Sequence, residues 1–419
     1  MLLPREGLMH SAATLSPRPC RACGACGADE PAVCHHQKFV VPGGYPLPAA
    51  YDILTCRRCG FVYADPPATQ ADYDLFYGQW SKYDDGNTAT GSGLSPYDAA
   101  RLATTAQDIA RALPSKTVSI LDAGCATGGL LAALRKQGFS SVTGLDPSPR
   151  CVAACRDRGF SAYVGTIASV SEDMPKFGCM VFSHVLEHVF DIPAFFAAIQ
   201  RLLVPGGYIC IETPDASCYV DHLSSPFQEF NTKYINHFSA RALKNTARRF
   251  GFSSVLVEQK VLQTSADVSY PAVFGIFRDL GVAASRSEVI RDPDLPARIE
   301  AYIQASTAMF ERIGLHLAAE LQNTKTMILW GAGQLAMKLL VLPCLERIQI
   351  RAVVDNNSVL RGKTVRGAPV VGPSEIGDFS EPIVITTQLH ADEIAAQIRQ
   401  MGLKNSVVQL LPKAEGRGA

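Results

Sequence analysis

Val118-Ser119-Ile120-Leu121-Asp122-Ala123-Gly124-Cys125-Ala126-Thr127-Gly128-Gly129 is the stretch on which the fold turns. A short apolar strand ends in an acid, a glycine-rich bend follows, and a helix-like run, Leu130 to Gln137, begins at once. A glycine-rich turn leaving a parallel strand lets a ligand approach the backbone closely. The spacing is D-x-G-x-x-x-G, not the G-x-G-x-x-G that cradles a pyrophosphate. One fewer glycine and an acid at the strand end suit a ligand with an amino-acid tail and no pyrophosphate. The next strand, Ser141 to Leu145, ends in Asp146, whose two carboxylate oxygens can accept from two ribose hydroxyls.

Outward from this stretch, apolar segments alternate with helical ones from Thr117 to Asp215: VSILDAG, GLLAALRKQG, SVTGLD, PRCVAACRDRG, CMVFSHV, IPAFFAAIQRLL, GGYICIETP. Such alternation predicts an α/β fold with a parallel sheet wrapped by helices. Residues 262–323 are expected to form a helical connector, with a long amphipathic helix from Ala297 to Leu321. The alternation restarts at MILWGAG, so residues 324–419 are expected to be a second, smaller, Rossmann-like α/β domain. There Trp330-Gly331-Ala332-Gly333-Gln334-Leu335-Ala336 comes after a strand and Asp355 ends the next. That is a shortened dinucleotide-type turn, open to three readings: a substrate's nucleotide, NAD, or packing alone.

The chain has 419 residues, with 39 basic and 39 acidic side chains, 19% charged and 47% hydrophobic. Such a balance argues against disorder and against a strongly basic nucleic-acid binder. The opening residues show no apolar run behind a positive flank, and the most apolar window, Thr326 to Leu345, is broken by Gly331, Gly333, Gln334, Lys338 and Pro343. A cytoplasmic protein with no membrane span is therefore expected. Residues 1–19 and Lys413 to Ala419 read as mobile ends, and Asp85 to Ser95 as a loop.

Of 13 cysteines, six lie between Cys20 and Cys59. Two copies of one turn stand out, Cys20-Arg-Ala-Cys23-Gly24 and Cys56-Arg-Arg-Cys59-Gly60. Each brings two thiolates to one ion, and two such turns complete a tetrahedral, closed and therefore structural Zn²⁺ site. A zinc-binding module over residues 20–67 is expected. Cys26, Cys34, His35 and His36 are spare ligands.

Taken together, the two acid-tipped strands and the loop between them resemble the S-adenosylmethionine site of class I methyltransferases. The resemblance implies a methyltransferase domain over residues 68–261, with the donor held by Asp122, Gly124, Cys125, Gly128, Asp146 and Pro147, and His184 close to the methyl group. Met180-Val-Phe-Ser183-His184-Val-Leu-Glu187-His188 resembles that family's fourth strand and the segment after it. Either His184 or His188 is a candidate catalytic residue, although a histidine beside a sheet is also often only hydrogen-bonded there.

The order of parts is narrower: cysteine module, Tyr-rich entry segment Tyr73 to Tyr83, methyltransferase core, second α/β domain. It resembles the zinc-containing sugar C-methyltransferases, which methylate a ring carbon beside the ketone of a nucleotide-linked sugar. In that family a Glu-His pair shortly before Phe-Ser supplies the base. This chain reads Lys233-Tyr234-Ile-Asn-His237-Phe238-Ser239, with Lys-Tyr in place of Glu-His. The resemblance makes His237 the first candidate base, with Tyr234, Tyr77 and Tyr83 able to orient substrate. The activity expected is methyl transfer to a sugar or nucleotide sugar in secondary metabolism. Transfer to an oxygen or nitrogen of another small metabolite, or an NAD-dependent oxidoreductase using the second glycine loop, are the alternatives.

Overall fold

The computed structural model describes residues 20, 22–23, 31–80, 91–171, 173–266, 268–281 and 289–411. The expectations for residues 1–19, Cys26, Tyr83 and Lys413 to Ala419, and most of that for Asp85 to Ser95, lie outside the described residues. The N-terminal part comprises β1 (Ala32–Lys38), β2 (Ala50–Thr55), β3 (Val62–Asp65) and α1 (Gln70–Gln79). The central part runs α2 (Pro96–Ala112), β4 (Ile120–Ala123), α3 (Gly129–Lys136), β5 (Val142–Asp146), α4 (Pro149–Asp157), β6 (Ser161–Val164), β7 (Phe177–Ser183), α5 (Ile192–Leu202) and β8 (Leu203–Pro214). It continues through β9 (Asn236–His237), α6 (Ala240–Arg249), β10 (Phe252–Gln263), β11 (Ser269–Asp279) and α7 (Asp294–Glu320). The C-terminal part comprises β12 (Thr326–Trp330), α8 (Gln334–Leu339), α9 (Pro343–Glu346), β13 (Gln349–Val354), β14 (Thr364–Val365), β15 (Ala368–Val371), β16 (Ile383–Ile385), α10 (Ala391–Gln400) and β17 (Val407–Val408).

The central sheet has the order β10-β11-β8-β7-β4-β5-β6. Strands β8, β7, β4, β5 and β6 run parallel, whereas β11 and β10 return antiparallel. Every residue of β4 is buried, as a parallel strand covered on both faces requires. The chain winds from β4 outward to β6, then returns to place β7 on the other side of β4. That reversal opens a crevice over the carboxyl ends of β4 and β7, where ligands bind in such sheets.

Among the described residues of 262–323 only Asp294–Glu320 forms a helix, and Ser269–Asp279 is a strand, which corrects the expected connector. Val273 to Phe277 are buried, and β11 closes the sheet against β8 before α7 begins at Asp294. An uninterrupted apolar run looks alike as buried strand and buried helix, so periodicity does not separate them. The described start of the Tyr-rich stretch lies in the helix α1, Gln70–Gln79. Thr69 and Asp72 form a capping box at the start of α1, and its inner face buries Tyr73 and Phe76.

The N-terminal sheet, β1-β2-β3-β9, takes its last strand from the central part, pairing Val62 with His237 and Tyr63 with Asn236. The C-terminal sheet has the order β14-β15-β13-β12-β16-β17, parallel at its centre. Its core is shared with Tyr73, Phe76 and Trp80, so this domain packs on α1. No helix among the described residues is long and apolar enough to cross a membrane.

Candidate functional site

The loop after β4 is built for close approach. Gly124 and Gly128 hold φ of 83° and 84°, and Ala126 between them holds 46°. A side chain on Gly124 would come within 2.9 Å of Val185, so the loop also lies tight against the segment after β7. Asp146 braces this loop from beneath: Ala126 N–H donates to its Oδ2 at 2.9 Å and Ser148 N–H to its Oδ1 at 2.9 Å. Pro147 sits between Asp146 and Ser148, whose hydroxyl caps α4 by accepting from Cys151 N–H. The thiol of Cys125 meets that of Cys155 at 3.8 Å.

Asp122 is fully buried at the tip of β4. Burial pushes its carboxyl up to about 7, Asp146 adds to the rise, and the Arg101 guanidinium opposes it. A buried acid at this position and a left-handed glycine cradle suit a ligand bearing an ammonium and sugar hydroxyls. The residues present therefore fit S-adenosylmethionine.

Arg101 was not legible as a site residue. It projects from α2, hydrogen-bonds Asp98 at 2.9 Å and Ser183 at 3.2 Å, and lies 3.4 Å from Glu212. Its side chain is only 10% exposed, and nothing local in the sequence sets it apart from the other polar residues of α2.

Beyond the end of β7, His184 adopts φ of 56°, a conformation uncommon outside glycine, and is held there by its N–H donating to Glu212 O. Glu187, which the stretch from Met180 to His188 contains but does not single out, is the hub of the histidine cluster. Its Oε1 faces His184 Nδ1 at 3.3 Å and His188 Nε2 at 3.9 Å, and its Oε2 accepts from Thr213 Oγ1 at 3.1 Å. Burial alone would raise this carboxyl, but the His184 hydrogen bond and the nearby histidine charges outweigh it and hold it below the usual range. Tyr270 O–H donates to His184 Nε2 at 3.0 Å, which engages both ring nitrogens of that residue.

His188 lies between two aromatic rings, Tyr77 at 5.8 Å and Tyr234 at 5.0 Å. Its Nδ1 donates to Lys233 O at 3.1 Å, which leaves Nε2 as the lone-pair nitrogen. Burial lowers its pKa to about 4, so the ring is neutral at neutral pH. The structure thus sets His184 and His188 on either side of Glu187, with Tyr77 and Tyr234 flanking His188. His237 hydrogen-bonds none of these four, although the Glu187 charge reaches its ring. It is wholly buried, packed edge-on against Tyr219 and Phe230, with Nδ1 3.4 Å from Tyr219 Oη, and burial lowers its pKa to about 3.

The four cysteines Cys20, Cys23, Cys56 and Cys59 are buried with their sulfurs all within 4.8 Å of one another. The Cys20–Cys59 and Cys23–Cys56 separations are 3.6 and 3.7 Å. Sulfurs about 2.3 Å from a tetrahedral Zn²⁺ stand about 3.8 Å apart, so the set fits that ion. Gly60, at φ 77°, turns the chain behind the second pair, where any side chain would meet Asp292 O at 2.2 Å. The spare ligands go elsewhere: Cys34 donates to Ile53 O, His35 stacks on Phe227 and His36 pairs with Asp52.

Residues 97–257 match a family model described as a methyltransferase domain, and residues 323–408 match one described as C2185-like, N-terminal. A ubiquinone biosynthesis O-methyltransferase of Methylobacterium nodulans is 36% identical over 107 residues, covering 24% of this chain and 43% of that protein. A malonyl-[acyl-carrier protein] O-methyltransferase of Serratia marcescens is 28% identical over 183 residues, 43% of this chain and 69% of that one. This chain therefore spans less than half of the first relative's length. Among solved structures, a methyltransferase from Methanosarcina mazei is similar over 41% of this chain and 97% of its own, at 19% identity and a TM-score of 0.36. Together, the sheet order, the cradle after β4 and the matched family model place residues 97–257 among the class I S-adenosylmethionine-dependent methyltransferase domains.

Proposed function

We propose that the protein transfers a methyl group from S-adenosylmethionine to a small polar acceptor, with a sugar or nucleotide-linked sugar as the leading class. The observation that carries this reading is the joining of the donor cradle, Asp122 to Gly128 with Asp146, to the histidine segment directly after β7, whose Val185 packs against Gly124 and whose His188 keeps one ring nitrogen without a hydrogen bond among the described residues. When bound, the donor supplies an electrophilic methyl on a sulfonium, so the protein has only to align the acceptor and remove its proton. Asp122 would take the donor's ammonium, Asp146 the ribose hydroxyls, and Arg101 would offer its charge to the donor's carboxylate.

Among the candidates His188 suits the base best. Its Nε2 has no hydrogen-bond partner among the described residues and lies 3.9 Å from Glu187, whose charge stabilises the imidazolium that forms on proton uptake. His184 has both nitrogens engaged, and it would orient the acceptor with Tyr77 and Tyr234. His237, the first candidate from the sequence, is sealed among aromatic rings, so we assign it to the seam with β3. The ketone-adjacent carbon, a hydroxyl and an amine are all acceptors this base could serve. The Cys₄ cluster, loaded with Zn²⁺, would hold the N-terminal module together and has no open position for substrate.

The test is incubation with methyl-labelled S-adenosylmethionine and a panel of nucleotide-linked keto, hydroxy and amino sugars, followed by mass spectrometry. A labelled sugar that disappears with His188→Gln but persists with His237→Gln supports the assignment. Full turnover by His188→Gln rules out that residue as base.

A further inference from the structure

Two side chains of the C-terminal domain, Gln334 and Lys338, hold the segment that runs from Phe227 to Tyr234. Gln334, the first residue of α8, grips Thr232 at two points: its Oε1 accepts from Thr232 N–H at 3.0 Å and its Nε2 donates to Thr232 Oγ1 at 2.9 Å. Tyr45 of the N-terminal part closes the same knot, with its hydroxyl 2.7 Å from Thr232 Oγ1. Thr232 is 2% exposed, so these bonds are made away from water, where losing one leaves a buried polar group unsatisfied. Four residues on from Gln334, the Lys338 ammonium donates to Phe227 O and fixes the beginning of the same segment, where Phe227 holds φ of 52°.

Past Thr232 the chain has little freedom. Asn231 Oδ1 accepts from the N–H groups of Lys233 and Tyr234 at 3.1 and 3.0 Å, and Ile235 N–H donates to Glu187 O at 2.7 Å. Within this segment Lys233 O accepts from His188 Nδ1. That bond decides the chemistry. With the proton on Nδ1, Nε2 keeps its lone pair. Without it, the ring can move its proton to Nε2 and donate to Glu187, and the basic nitrogen is lost.

We propose that Gln334 is a positioning residue for methyl transfer: by gripping Thr232 it holds Lys233 O where it fixes His188 in the Nδ1–H form. This rests on the methyl-transfer reading above, with His188 as base. The second α/β domain is then part of the catalytic device, since its first helix sets the protonation pattern of a histidine in another domain.

The experiment uses the full chain with ¹⁵N-labelled histidine and reads the His188 ring nitrogens by long-range proton–nitrogen correlation, assigned with His188→Gln. The wild type is expected in the Nδ1–H form. Gln334→Met, which keeps the volume and removes both polar groups, is expected to shift the tautomer ratio about fivefold toward Nε2–H, the size of one lost neutral hydrogen bond. Gln334→Glu can accept from both Thr232 groups and is expected to restore the wild-type pattern. Thr232→Val, which loses the hydroxyl contact alone, is expected to fall between and serves if the Met variant does not fold. An unchanged His188 pattern in a folded Met or Val variant overturns the proposal. S-Adenosylhomocysteine titrated into the same samples separates the two claims: all variants are expected to bind like the wild type, and a wild type that does not bind removes the methyl-transfer reading itself.

Discussion

Asp122 carries the most exposed expectation about a single residue. In an unfolded chain an aspartate titrates near ~3.9, whereas here burial holds the carboxyl at about 7. Its contribution to stability is therefore fully present below about pH 4 and is lost as the pH rises through about 7. An ammonium placed beside it reverses the preference and favours the ionised form. Between pH 6 and 8, S-adenosylhomocysteine is expected to bind more tightly as the pH rises, with a proton released at the lower end and a plateau above about 7. Asp122→Asn is expected to remove the pH dependence and to weaken binding about tenfold to a hundredfold, the worth of a charged hydrogen bond. Calorimetry in buffers of different ionisation enthalpy reads both. Asp122 and Asp146 were legible because an acid at a strand end followed by glycines is a local signal. Glu187 and Arg101 were not, since their roles come from His184, Thr213 and Ser183 brought to them across the fold. For the same reason nothing local reveals that β3 and Phe230 cover His237.

At the scale of elements, two turns and two strands hold the N-terminal part on the core. Asp292 N–H donates to Cys59 O and Ser239 Oγ donates to Asp292 Oδ2, so the second cysteine turn is tied to both α6 and the start of α7. A metal holding the four thiolates would support this seam directly. One zinc per chain is expected by elemental analysis. Stripping it with a chelator, or Cys56→Ser, is expected to lower the melting temperature by on the order of 10 °C, as a loss of several kcal/mol does in a chain of this class. A melt indifferent to the chelator counts against the ion. The cysteine turns were readable from spacing alone. β11 was not, because its buried run is apolar without alternation and pairs with β8 far back in the sequence. α1 carries no clear helical period in its aromatic residues, and its start is marked only by the Thr69 cap.

Over the whole molecule, three sheets meet around one short segment, residues 227–237, which no motif marks out as the centre. The parallel cores on either side of it were visible in the alternation of strand and helix, since each such unit is local. The way they face one another depends on Tyr45, Thr232 and Gln334, which lie in three different parts of the chain. Everything proposed for His188, Gln334 and the acceptor presupposes that the crevice over β4 and β7 is the donor's seat. The most direct measurement is a crystal structure of the intact protein with S-adenosylhomocysteine. The arrangement predicts density there, with the ribose hydroxyls on Asp146 and the amino-acid tail along Gly124 to Gly128 beside Asp122. An empty crevice at saturating ligand, or the nucleoside seated at Gly331 to Gly333 instead, contradicts it.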